Sequence, residues 1–221
     1  MSLEIWSDTE RFLTGLVCPP DPDVANVEHV SRLECLPPAN VSALQGRQLE
    51  LLAKVAGARR ILEVGTMAGY STLWLARALP AEGLLVTVEN NPVYATIALG
   101  NIEAAGLASR VEVLVGNASD QLESLIEQAV DPFDFFFVDA DEHNNLLYFE
   151  RCLRLGRPGS VIVFDNVVRA GDVRDSATES PPIRATRQLL ELVGGLETVE
   201  GVVFQTVGSK GHDGMLVVRI I

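Results

Sequence analysis

The stretch Ile61–Leu79, ILEVGTMAGYSTLWLARAL, decides the fold. A short apolar run, Ile61 to Val64, breaks at Gly65, turns through Thr66, Met67 and Ala68 to Gly69, and re-enters a helical pattern from Ser71. Strand, glycine turn and helix in direct succession open a nucleotide-binding α/β sheet, because the helix amino terminus offers free backbone N–H groups to a ligand. The dinucleotide fingerprint would read GxGxxG, but Thr66 and Met67 stand where a second close glycine is needed. Close approach of a pyrophosphate is disfavoured, so the turn suits a nucleotide-like cofactor that lacks one and argues against an NAD-type oxidoreductase.

Outward from this unit, runs rich in Val, Ile and Phe alternate with helical patterns. Strands are predicted at 61–64, 84–88, 111–114, 133–138 and 161–164, and helices at 71–79, 92–105, 118–128 and 142–155. Such alternation implies a parallel sheet covered on both faces. Two further strands, 202–206 and 215–220, flank the glycine-rich VGSKGHDG at 207–214 and should pair as an antiparallel hairpin. The fold class is therefore α/β, a Rossmann-like doubly wound sheet of seven strands, mostly parallel, with a carboxyl-terminal antiparallel hairpin. Residues 1–57 have helical periodicity interrupted by CPPDPD at 18–23 and LPPAN at 36–40, where consecutive prolines stop helices. They read as a helical cover over the carboxyl edge of a core at 58–221, the two forming one domain.

Composition narrows the function. With 221 residues, 48% of them hydrophobic, the chain can bury a substantial core. A net charge of −13 opposes attraction to nucleic acid and anionic membranes. No apolar run reaches the roughly 18 to 20 residues of a membrane span, and the amino terminus does not read as a secretory signal, so the expectation is a cytoplasmic protein. Cys18, Cys35 and Cys152 are widely spaced and form no CxxC pair, which encodes neither a disulfide framework nor a zinc site.

The chemistry-bearing residues fall at predicted strand ends. Glu89 closes the second strand, where a carboxylate accepts hydrogen bonds from ribose hydroxyls or is simply solvated. Glu63 lies inside the first strand, where an unpaired charge is costly, and a place near the cofactor's amino group accounts for it. Asp139 and Asp165 end neighbouring strands about 4.8 Å apart, so both carboxylates can converge on one ion, with the side-chain carbonyl of Asn166 as a third ligand. Such oxygen donors suit magnesium, manganese or calcium. Read alone, Asp165 and Asn166 are equally ordinary turn formers, and Asp141 is a helix cap.

Taken together, NVSALQG, EVGTMAGYST, VENN, GNA, FVDAD, FDN and VGSKGHDG make the chain from about Asn40 onward resemble the cation-dependent class I O-methyltransferases, the catechol and caffeoyl-CoA O-methyltransferase family. The resemblance implies that Glu63, Gly65, Ser71, Glu89, Ala118 and Asp139, with Val41 through its backbone, surround S-adenosyl-L-methionine. It implies Asp139, Asp165 and Asn166 as ligands of Mg2+, or of Mn2+ or Ca2+. Two vicinal oxygens of a small aromatic acceptor would complete the metal's coordination. A homodimer is the family expectation.

One stretch departs from the family pattern. Where the family reads DADK and then NY, this chain has Asp141, Glu142, His143, Asn144 and Asn145, so a glutamate replaces the lysine near the attacking hydroxyl. Glu142 is a candidate base or a solvent-facing acid favoured by a helix's first turn. His143 is a candidate catalytic group or a surface residue. Lys210 and His212 belong to the hairpin turn and read as shaping it. Loss of the lysine leaves open an S-adenosylmethionine-binding protein without catalysis.

Overall fold

A computed structural model describes residues 2–221. Three helices come first, α1 (Leu3–Val17), α2 (Pro22–Leu33) and α3 (Ala43–Val55). The core follows as β1 (Arg60–Val64), α4 (Tyr70–Ala78), β2 (Leu84–Glu89), α5 (Pro92–Ala104), β3 (Val111–Val115), α6 (Ala118–Glu127), β4 (Phe135–Val138), α7 (Asn145–Leu155) and β5 (Val161–Phe164). The chain ends with α8 (Pro181–Gly195), β6 (Val199–Gly208) and β7 (Gly211–Ile220). One sheet of seven strands runs in the order β3-β2-β1-β4-β5-β7-β6. The first five strands are parallel, and β7 is antiparallel to both β5 and β6.

Period-two alternation along the central strands sends side chains into two cores. Ile61, Leu85, Phe135, Phe137 and Val163 join Leu49, Leu73, Trp74 and Ile102 of α3, α4 and α5 on one face. Leu62, Val86, Phe136, Ile162 and Phe164 join Leu122, Phe149, Cys152 and Leu189 of α6, α7 and α8 on the other. Burial on both faces is why these strands read as nearly continuous apolar runs. Truncating one of the fully buried phenylalanines to alanine would cost about 3–5 kcal/mol.

Three elements differ from the sequence reading. Helix α8 was not anticipated: its Pro181 and Pro182 occupy the first turn, where a missing N–H is harmless, so a proline pair starts a helix here. Most of VGSKGHDG is strand, since β6 runs to Gly208 and β7 starts at Gly211, leaving Ser209 and Lys210 as the turn. The helix expected over 142–155 divides into a 3-10 turn, Glu142–Asn144, followed by α7.

Strand order reverses between β1 and β4, and the cleft above that reversal is where parallel sheets bind ligands. Gly65 makes the cleft possible. Its φ is +100°, and a Cβ there would lie 2.0 Å from the carbonyl oxygen of Asp139 at the end of β4. Gly65→Ala should therefore combine a left-handed backbone penalty with a steric clash, destabilising the protein by at least about 2 kcal/mol. Urea denaturation measures this, and an unchanged midpoint would mean that the β1 and β4 ends separate freely.

Candidate active site

Above the carboxyl ends of β1, β2 and β4 lies a cavity of about 530 Å³. Val41, Gly65, Ser71, Glu89, Ala118, Asp139, Glu142 and Asn166 all line it. A second cavity of about 270 Å³ adjoins it across Val41 and Asn166 and is lined by Asp165, Lys210 and Asp213. Two candidates line neither cavity: Glu63 is fully buried, and His143 is exposed on its 3-10 turn.

The turn after β1 is held by acids from below. Glu89 Oε2 accepts the backbone N–H groups of Met67 at 2.7 Å and Thr66 at 3.3 Å, while Oε1 accepts that of Asn91 at 2.8 Å. Three of the roughly four lone-pair directions of this carboxylate are thus used, and the one remaining lies on Oε1. Buried Asn101 donates to the Ala68 carbonyl at 2.9 Å and closes the turn from α5. Glu63 is fully buried, with Oε2 accepting from the hydroxyls of Thr72 at 2.6 Å and Thr87 at 2.7 Å. Its Oε1 has no partner among the described residues. Burial pushes the Glu63 pKa up to about 7, against the pull of those hydroxyls.

Asp139 and Asp165 follow paired residues of adjacent strands, since Val138 sits beside Phe164. Burial first and the Glu63 charge second raise the Asp139 pKa; burial first and the Asp139 charge second raise that of Asp165. Among the described residues no three or more His, Cys, Asp and Glu side chains come together as a metal cage. The strand ends offer two carboxylates and one amide instead. The Nδ2 of Asn166 is turned toward Asp213 Oδ2 at 3.3 Å, which leaves its carbonyl oxygen for another partner. Two mutually repelling acids, Asp165 buried and Asp139 half-buried, beside a free amide oxygen are a donor set that a hard divalent cation fits.

Three residues that the sequence reading did not place in the site organise it. Asp213 Oδ1 accepts from the backbone N–H groups of Val168, Arg169 and Gly214 at 2.9–3.0 Å, fixing the loop after β5. In that loop Asn166 and Arg169 have positive φ of 56° and 53°. Arg169 lines the larger cavity and is ion-paired with Glu142, whose half-buried carboxylate is thus held by a guanidinium. Asp141 starts the 3-10 turn without a side-chain cap bond, accepting instead from the Tyr148 hydroxyl at 2.5 Å and from Asn144. The third residue, Lys210, reaches toward the acids from the hairpin turn and lines the smaller cavity.

Comparison with known proteins places this geometry. Residues 23–221 match the family model described as O-methyltransferase. A catechol O-methyltransferase of Niastella koreensis is 40% identical over 215 residues, 97% of each chain. One from Mycobacterium tuberculosis is 42% identical over 207 residues, 94% of this chain and 92% of the relative. The crystal structure of an O-methyltransferase from Bacillus cereus in complex with SAH superposes with a TM-score of 0.98 at 43% identity, covering 100% of both chains. The O-methyltransferase TomG of Streptomyces achromogenes, in complex with SAM, gives a TM-score of 0.96 at 40% identity over 100% of this chain and 99% of that one.

The buried acids imply a pH-dependent stability. An acid whose folded pKa is raised contributes stability that is fully present below its unfolded value and is lost as pH rises through the folded value. For Glu63 that window runs from 4.5 to about 7. At ~1.4 kcal/mol per unit it withdraws up to roughly 3 kcal/mol. Denaturation in EDTA without ligand should show the protein less stable at pH 8 than at pH 5, and Glu63→Gln should reduce that difference. Identical slopes for both proteins would mean that Glu63 is ionised in the fold without cost.

Proposed function

The chain belongs to the O-methyltransferase family, and from that premise we propose that it methylates one hydroxyl of a vicinal pair on a small catechol-like or phenolic acceptor, using S-adenosyl-L-methionine and a divalent metal. The observation that carries the finer part of this reading is the meeting of Asp139, Asp165 and Asn166 at the wall between the two cavities. S-adenosylmethionine supplies an electrophilic methyl group on a sulfonium, and a metal such as Mg2+, Mn2+ or Ca2+ supplies the positive charge that lowers a hydroxyl's pKa.

The residues divide the work. Gly65, Ser71 and Ala118 form walls close to the backbone of the larger cavity, with Val41 over its edge. Glu89 holds the turn with three backbone N–H groups and keeps one lone pair on Oε1 for a ribose hydroxyl. The orphaned Oε1 of Glu63 suits an ammonium group of the ligand, whose charge would draw the carboxyl's pKa back down. Asp139, Asp165 and Asn166 hold the metal. Glu142 keeps Arg169 oriented over the cavity and takes no proton. His143 has no part in the chemistry because it is exposed outside both cavities.

Helix α1 exposes Ile5, Phe12, Leu16 and Val17, and the neighbouring edge strand β6 exposes Val202 and Phe204 on one face. Exposed apolar residues on these two neighbouring elements favour a homodimer. All three cysteines are unpaired, which is compatible with a reducing cytoplasm. No described helix is long and apolar enough to cross a membrane.

Asp165→Ala should lower turnover of catechol by more than about 100-fold, while S-adenosylhomocysteine affinity stays near wild type because its contacts lie on β1, β2 and α4. Mg2+ should raise the melting temperature of the wild type but not of this variant. Undiminished turnover in EDTA would remove the metal from the reading. Light scattering at micromolar concentration should return twice the chain mass, and a monomer there would count against the dimer.

A further inference from the structure

We propose that Lys210 is an acceptor-binding residue, its ammonium donating a hydrogen bond to the reacting oxygen from the tip of the β6–β7 hairpin, with Glu10 of α1 as the positioning residue that holds the tip over the site. This inference rests on the methyltransferase reading above and adds to it the group that meets the acceptor.

Position comes first. Ser209 and Lys210 form the whole turn between Gly208 and Gly211. Lys210 borders the cavity that contains Asp165, Asn166 and Asp213, and also a cavity of about 810 Å³ beneath α1 and α2. It does not border the cavity above Gly65 and Glu89, which the methyl donor fills. The ammonium therefore stands where the acceptor side opens onto the strand-end acids. Apolar walls from Cys18, Val24, Val41, Tyr70 and Trp74 give the large cavity the character an aromatic ring requires, and Lys210 marks its polar end.

Charge points the same way. The ionised groups that act on Lys210 are Asp139, Asp165 and Glu10, yet no described side chain lies within ion-pair distance of its nitrogen. The other cation acting on Asp139 is Arg169, and its guanidinium is tied to Glu142. An acceptor hydroxyl that becomes an oxyanion among acids needs a donor, and Lys210 is an unpaired one on the correct side. An ammonium on a flexible stem needs a fixed root. Glu10 Oε2 supplies it by accepting from the Ser209 N–H at 2.7 Å and the Ser209 hydroxyl at 2.6 Å. Packing at this contact is tight, because a Cβ on Gly208 would lie 2.8 Å from the Glu10 carboxylate.

The test compares wild type, Lys210→Met, Lys210→Arg and Glu10→Gln with catechol as the probe. Calorimetry measures catechol binding to protein saturated with S-adenosylhomocysteine and Mg2+, and steady-state kinetics separate kcat from KM. Lys210→Met should weaken catechol binding about tenfold and lower kcat/KM about 100-fold, with S-adenosylhomocysteine affinity and the Mg2+ thermal shift unchanged. Lys210→Arg should recover part of the binding. Glu10→Gln should cause a smaller loss of the same kind. A Lys210→Met protein that binds and methylates catechol like wild type overturns the assignment and leaves the methyltransferase reading standing. Equal losses of catechol and S-adenosylhomocysteine binding also overturn it, since they indicate general damage. A wild type that binds no S-adenosylhomocysteine and methylates no catechol removes the underlying reading and this assignment with it.

Discussion

Carboxylates crowd one end of the sheet, and the way each is neutralised separates the wall of the site from its working groups. Asp213 is met by three backbone N–H groups and the Asn166 amide, and Glu89 by three backbone N–H groups. Acids served in this way rigidify loops, because charge-assisted bonds to backbone N–H groups are strong and directional. Glu142 is met by Arg169. Glu63 is met on one oxygen only, and Asp139 and Asp165 are raised toward neutrality by burial and by acidic neighbours. Acids that keep an unserved oxygen mark where ligands belong.

This ordering also explains why the two sides of the site differ in construction. The methyl-donor side is built from strand ends and a glycine turn, all tied to the sheet ladder: Gly65 N–H bonds to the Val88 carbonyl at 3.0 Å and Asp139 N–H to the Val64 carbonyl at 2.9 Å. Its shape is set by the same hydrogen bonds that make the fold. The side proposed for the acceptor is assembled from α1, α2 and the hairpin tip, parts distant in sequence.

Legibility in the sequence follows the same division. The turn at 65–69, Glu63, Glu89, Asp139 and Asp165 could be read because strand ends and glycine turns are local signals, and in a parallel sheet strand ends converge. Asp213 and Lys210 were not placed, because whether a hairpin residue faces the site depends on the turn length, and VGSKGHDG gives no sign that only Ser209 and Lys210 form it. The Glu142–Arg169 pair was not legible for a different reason: Arg169 is distant in sequence, in a loop whose positive φ values no periodicity reveals. Helix α8 was lost because a proline pair looks the same whether it stops one helix or starts the next.

Helix α1 ties these strands of argument together. It is 15 residues long and none of them is buried, although Leu3, Ile5, Phe12, Leu13, Leu16 and Val17 give it an apolar side. An isolated helix of that length is marginal in water, so its stability has to come from whatever covers that side. One heptad from both Leu3 and Val17, Glu10 stands at the margin of that side, and its grip on Ser209 sets the hairpin tip and with it Lys210. In the homodimer proposed above, covering α1 would hold the wall of the acceptor cavity and the root of its ammonium together. Loosening the helix would release both while leaving the methyl-donor turn, anchored in the sheet, unchanged.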